Sequence, residues 1–157
     1  MVSAFFKELI AMLRDFENTT VIAGNVDPVV ANTAADEDGT TVDLLGYNHC
    51  VFIGQMGVEG DTLSGTNSLI FEMEESDDDS SWTDCADASI TNAVTGDVVG
   101  TWAVADADAE IPAVFFSEYK GSKRYVRAVL NTKGTHSTGT PVSIVAVKFG
   151  AANLPAS

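Results

Sequence analysis

Four side chains of the kind that bind zinc, His49, Cys50, Cys85 and His136, are scattered along the chain. A zinc site announces itself by short ligand spacing in at least one half, and no such spacing occurs here. Asp36-Glu37-Asp38-Gly39 has the composition of a calcium loop, but the alternation of ligands and the closing glutamate are missing. No nucleophile elbow, phosphate-binding glycine loop, HExxH pair or dinucleotide fingerprint is present. Gly57-Val58-Glu59-Gly60 and the glycines at 134 and 139 read as hairpin turns. Carboxylates are abundant, but abundance in polar loops removes their diagnostic value for acid–base work. These residues predict no enzyme, no metal and no cofactor.

The charges are more informative. All 23 acidic residues lie at or before Glu118, whereas six of the eight basic ones, Lys120, Lys123, Arg124, Arg127, Lys133 and Lys148, follow it. In a folded chain this reversal predicts that a late basic strand lies among acidic neighbours from earlier segments, each facing pair contributing roughly 0.2–1 kcal/mol. Lys123, Arg124 and Arg127 are the residues expected to pair in this way. Binding of nucleic acid through them is disfavoured because phosphate would approach a chain of net charge -15. The same acidity disfavours anionic membranes, and no apolar run approaches the roughly 20 residues that cross a bilayer.

The elements that must position these residues follow from periodicity. Phe5, Leu9, Met12, Leu13 and Phe16 fall on one face of a helix predicted over Ala4 to Phe16. Lys7, Glu8, Arg14 and Asp15 interrupt the segment, and no basic residue precedes its apolar part, so it does not read as a secretion signal. A helix this short must dock its apolar face, either on its own domain or on a neighbouring subunit. Residues 24 to 41, rich in Asn, Asp, Ala, Gly and Thr and carrying Pro28, read as an extended arm.

From Val42 the period changes to that of strands. Val42 to Tyr47, His49 to Gly57, Leu69 to Glu74, Trp82 to Cys85, Val98 to Val104, Val114 to Tyr119, Arg124 to Leu130 and Val142 to Phe149 are short β-branched and aromatic runs separated by polar turns. Alternation predicts that Leu69, Phe71 and Met73 face the core, as do Val126, Ala128 and Leu130, with Tyr125 and Arg127 on the opposite face. The fold class is therefore all-β: an antiparallel β-sandwich, jelly-roll-like, with a short N-terminal amphipathic helix and extended arm. Residues 1–41 form the helix and arm, and 42–157 the sandwich domain. Glu74 to Trp82 and Ala103 to Pro112 read as acidic connections. Cys50 and Cys85 are either buried free thiols or a disulfide.

Three stretches carry a resemblance: Val42-Asp43-Leu44-Leu45-Gly46-Tyr47, then Glu74-Glu75-Ser76-Asp77-Asp78-Asp79-Ser80-Ser81-Trp82-Thr83-Asp84, then Gly121-Ser122-Lys123-Arg124-Tyr125-Val126-Arg127. In that order and spacing, the chain from Val42 to Phe149 resembles small all-β virion structural proteins of tailed bacteriophages. The resemblance supplies no catalytic residues. It implies a protein that cements or decorates the outer surface of the capsid by bridging coat subunits, with the major capsid protein and further copies of itself as partners. It equally implies a head–tail joining or tail component. If the helix is not internal, Phe5, Phe6, Leu9, Met12 and Phe16 are the face expected to attach to capsid or to another copy. A reading from another class is a carbohydrate-binding β-sandwich for host adhesion, which requires Trp82, Trp102 and Tyr119 to cluster on one surface; the alternative for these three is core packing.

Overall fold

The computed structural model describes residues 20–32, 36–103 and 114–152. The helix predicted over 4–16, with Phe5, Phe6, Leu9, Met12 and Phe16, lies outside them, as does most of the acidic connection before Val114. Among the described residues there are ten strands: β1 Thr20–Ala31, β2 Glu37–Asp38, β3 Val42–Asp43, β4 Tyr47–Met56, β5 Ser68–Ser76, β6 Thr83–Asp84, β7 Val98–Trp102, β8 Val114–Tyr119, β9 Tyr125–Lys133 and β10 Thr140–Ala151. A single 3-10 turn, Asp87–Ser89, follows β6.

Two antiparallel sheets face each other. Sheet A has the order β1-β10-β4-β8. In sheet B, β9 pairs with β5 on one side and with β2 and then β3 on the other, while β6 and β7 both pair with β5. The pairing is nested: the first strand lies beside the last, β2 and β3 beside β9, β4 beside β8, and β5 beside the short strands that follow it. A long two-stranded ribbon wrapped over itself produces this order, and it is that of a jelly roll.

Strict alternation places the core. Leu69, Phe71 and Met73 of β5 and Val126, Ala128 and Leu130 of β9 are fully enclosed, and they share one core with Trp102 of the neighbouring strand β7 and with Phe52 and Ile144 from the facing sheet. Tyr125 and Arg127 stand on the other face of β9.

Residues 24–31 differ from the sequence expectation. They belong not to an arm but to β1, which pairs with β10 from Thr20↔Phe149 to Ala31↔Thr140. The register slips between Gly24 and Val26 and again between Val26 and Val29. These bulges explain why no clean alternation marks the strand, and Pro28 is tolerated because β1 is an edge. The first slip has a purpose. It turns Asn25 inward, where Oδ1 accepts the Ala128 N–H at 2.8 Å and Nδ2 donates to the Thr40 carbonyl at 2.7 Å. One buried amide thus ties sheet A to sheet B, and Gly39 lies so close that a Cβ there would overlap the amide.

Candidate functional site

At one end of the sandwich the turn joining β8 to β9 lies against the loop between β3 and β4 and against the acidic turn after β5. The lead-in to β9 projects Lys123 and Arg124, β9 itself projects Arg127, and each of these cations meets carboxylates from a different part of the chain. Lys123 Nζ lies 2.5 Å from Asp77. Arg124 donates through Nε and Nη2 to the two oxygens of Asp43, at 3.0 and 2.7 Å, the bidentate geometry that a planar guanidinium favours. Arg127, with only 16% of its side chain exposed, bridges Asp38 at 2.9 Å and Glu74 at 2.6 Å while its guanidinium packs 4.5 Å from the centre of the Trp82 ring.

Behind these pairs Tyr119 acts as a pin. Its hydroxyl donates to Glu75 at 2.7 Å and accepts the Lys123 N–H at 3.0 Å. Burial and the Glu75 carboxylate hold the phenol well above its usual range, so it stays a donor. Only glycine fits at 121, because a Cβ there would overlap the Tyr119 hydroxyl.

The acidic turn is saturated from within. Asp77 is held by Lys123. Asp78 accepts the N–H groups of Ser81 and Ser80 and the Ser76 hydroxyl, which draw its carboxyl far below the ordinary carboxylate range. Asp79 accepts the Thr41 hydroxyl at 2.7 Å and takes a left-handed backbone, φ +58°. A run of aspartates that in sequence could be offered to a cation is therefore committed to the protein itself. Asp61 behaves similarly at the other end. The N–H groups of Gly139, Thr138 and Ser137 pull it down to about 2, and it staples the β4–β5 loop to the β9–β10 turn.

The remaining candidates do not converge. His49 pairs with Glu118 at 2.7 Å and stacks on Phe149, while the His136 Nε2 lies 3.1 Å from the Lys133 carbonyl. Cys50 and Cys85 are free and buried. Burial pushes the Cys50 thiol up to about 12, and burial together with Glu75 pushes Cys85 up as well, the opposite of what a nucleophilic or metal-binding thiol requires. No group of three or more His, Cys, Asp or Glu among the described residues is arranged to hold a metal ion. Asp36-Glu37-Asp38 runs into the short strand β2, where Asp38 is taken by Arg127. Trp102 and Tyr119 belong to the core, and of the three aromatic residues considered for carbohydrate only Trp82 reaches the surface, beneath Arg127.

Between the two turns lies an open cleft of about 430 Å³, rimmed by Leu45, Tyr47, His49, Lys120 and Arg124. Its charged groups are largely engaged: Arg124 by Asp43, His49 by Glu118, and Lys148 beside it by the Asp43 carbonyl and the Tyr47 ring. Sequence reasoning missed Asn25 and the Tyr119–Glu75 pin. A polar residue beside a glycine inside a β-branched stretch was the only available signal for the first, and none marked the second.

No protein-family model and no curated protein matches the chain. Among solved structures it is similar to the PBSX exported protein XepA (14% identity, TM-score 0.49), covering 87% of this chain and 39% of that one. It is similar also to the SPBc2 prophage-derived protein YomS (8% identity, TM-score 0.42), covering 83% and 93% of the two chains. A third similarity is to the CBM22-1–GH10 modules of xylanase 10B from Clostridium thermocellum (12% identity, TM-score 0.39), over 90% of this chain and 28% of that one. The chain thus spans well under half the length of the first and third of these proteins.

Proposed function

We propose that this chain is a non-enzymatic structural protein of a tailed-bacteriophage virion, a cement or decoration protein that stiffens the head by bridging subunits of the major capsid protein on its outer surface. The observation that carries the reading is the meeting of the three stretches behind the resemblance. Val42 to Tyr47, Glu74 to Asp84 and Gly121 to Arg127 are far apart in sequence and interlocked in space by Asp43–Arg124, Asp77–Lys123 and Glu74–Arg127. Their charges are spent on one another. These pairs tie one end of the sandwich together, which suits a brace and does not suit a pocket.

The charge of the molecule supports an exterior position. Packaged DNA presses a shell outward, and a brace resists by adding buried area between neighbouring coat subunits; with many copies, small energies per copy suffice. A protein that met DNA inside the shell would carry a basic surface, whereas this chain has net charge -15.

The test is the copy number of this chain in purified particles, measured by quantitative mass spectrometry and located by imaging. Hundreds of copies on the outer lattice are expected. Six or twelve on the tail axis would move it to the head–tail joint or tail, and its absence from particles would overturn the reading altogether.

A further inference from the structure

The cleft between the β3–β4 loop and the β8–β9 turn reverses the charge of the molecule. Acidic residues outnumber lysine and arginine 23 to 8 along the chain. Of the thirteen described residues that line the cleft, three are Lys or Arg and none is Asp or Glu. Asp43 and Glu118, each next in sequence to a lining residue, are already held by Arg124 and His49. Lys120 is the uncommitted charge: it is exposed, and its ammonium makes no ion pair or hydrogen bond among the described residues. Arg124 spends Nε and Nη2 on Asp43, which leaves Nη1 without a partner among the described residues.

Both walls of the cleft are fixed before any ligand arrives. The Leu44 N–H donates to the Arg124 carbonyl at 2.9 Å and ties one wall to the other. The Tyr47 N–H closes the first wall onto the Leu44 carbonyl at 2.9 Å, and the Lys120 N–H anchors the second on the Ser89 carbonyl at 2.6 Å. Groups held in place in this way lose little freedom on binding. The wall that faces Lys120 is aliphatic, with Leu45 68% exposed.

We propose that this cleft docks a segment of a partner protein that presents one carboxylate side chain beside an aliphatic one. The carboxylate meets Lys120 and Nη1 of Arg124, and the aliphatic side chain covers Leu45. A single carboxylate suits the site better than an acidic run, because the rest of a chain of net charge -15 repels a polyanion. A sugar acid is a poorer occupant. Sugar rings lie on open aromatic faces, whereas Lys148 sits over the Tyr47 ring and Phe149 stacks on His49. The docking does not depend on the virion role, and each can fail without the other.

The test titrates the full chain with acetyl-Leu-Glu-Leu-amide and follows the backbone amides by NMR. Saturable shifts are expected at residues 44–49 and 120–124, with an affinity of about a millimolar, as a solvent-exposed ion pair supplies. The glutamine analogue of the peptide, and Lys120→Gln in the chain, should each weaken binding about fivefold. The Lys120→Gln chain should keep the unfolding midpoint of wild type, since no contact of the ammonium is lost. Lys133→Gln, which removes a cation beside Gly65 at the other end of the sandwich, should leave binding unchanged. Equal binding of the glutamine analogue, unaltered affinity in Lys120→Gln, an equal loss in Lys133→Gln, or no shifts at the cleft would each overturn the proposal. Glucuronate bound as tightly as the peptide would assign the cleft to a sugar acid, and inorganic phosphate bound as tightly would make it a site for an adventitious ion only; either result overturns it.

Discussion

Glu72 shows how the surplus of acid is tolerated. It stands on the outer face of β5, accepts a hydrogen bond from Asn131, and is crowded by Asp97, Asp84, Asp36 and Glu74. Burial first and these neighbours second push its carboxyl up from 4.5 to about 7. An acid whose folded-state value is raised binds its proton more tightly in the folded chain, so the contribution of Glu72 to stability is greatest below pH 4.5 and is lost as pH rises through about 7. Because the group is partly open to solvent, the loss is discounted to about 1–2 kcal/mol. Asp61 and Asp78 are shifted the opposite way, and their effect is confined to more acidic solution. Urea midpoints of wild type and Glu72→Gln across pH 4.5–7.5 are the check: the variant should show a flatter profile and greater stability at neutral pH, and an identical slope would remove Glu72 as the cause. Such residues were legible in sequence only as a surfeit of charge. Which acid meets which base was not, since the partners of Lys123, Arg124 and Glu74 lie 46, 81 and 53 residues away.

Among the elements, β1 and the two-residue β2 are those the sequence concealed, and Asn25 is why β1 forms as it does. The eight later runs, from Val42 onward, each contain a strand, because they obey a period of two and end at turn residues; the first shrinks to Val42–Asp43 and the fourth to Thr83–Asp84. β1 breaks that period twice to aim one amide at the opposite sheet. Asn25→Ala removes both hydrogen bonds and strands the Ala128 N–H in the interior, at a cost of about 2–4 kcal/mol. Chemical denaturation measures the loss, and amide exchange at Ala128 should rise with it; a variant within about 0.5 kcal/mol of wild type would show that the bulge holds the sheets by other means.

For the whole molecule, the nested pairing encloses both thiols. Cys50 and Cys85 are free thiols, one of the two alternatives that composition left open, and have 1% and 2% of their surface exposed. Neither should react with a thiol reagent at pH 8 while the chain is folded, and both should titrate once it is unfolded without reductant. A native chain that yields no thiols on unfolding would contain a bond the fold does not provide. The jelly-roll order itself was beyond the sequence, because nesting is a property of which strands meet and alternation reports only which way each one faces.

The two borders of sheet A are also dressed in opposite ways. Along β8, residues 89–92 run as a strap, with Thr91 N–H donating to the Glu118 carbonyl, Lys120 N–H to Ser89, and Asn92 to Phe116. Along β1, two bulges and Pro28 spoil the ladder. A molecule so hemmed can be crowded shoulder to shoulder on a lattice without zipping into its neighbours as a continuous ribbon, and so it can be made in bulk and stored at high density without seeding fibres.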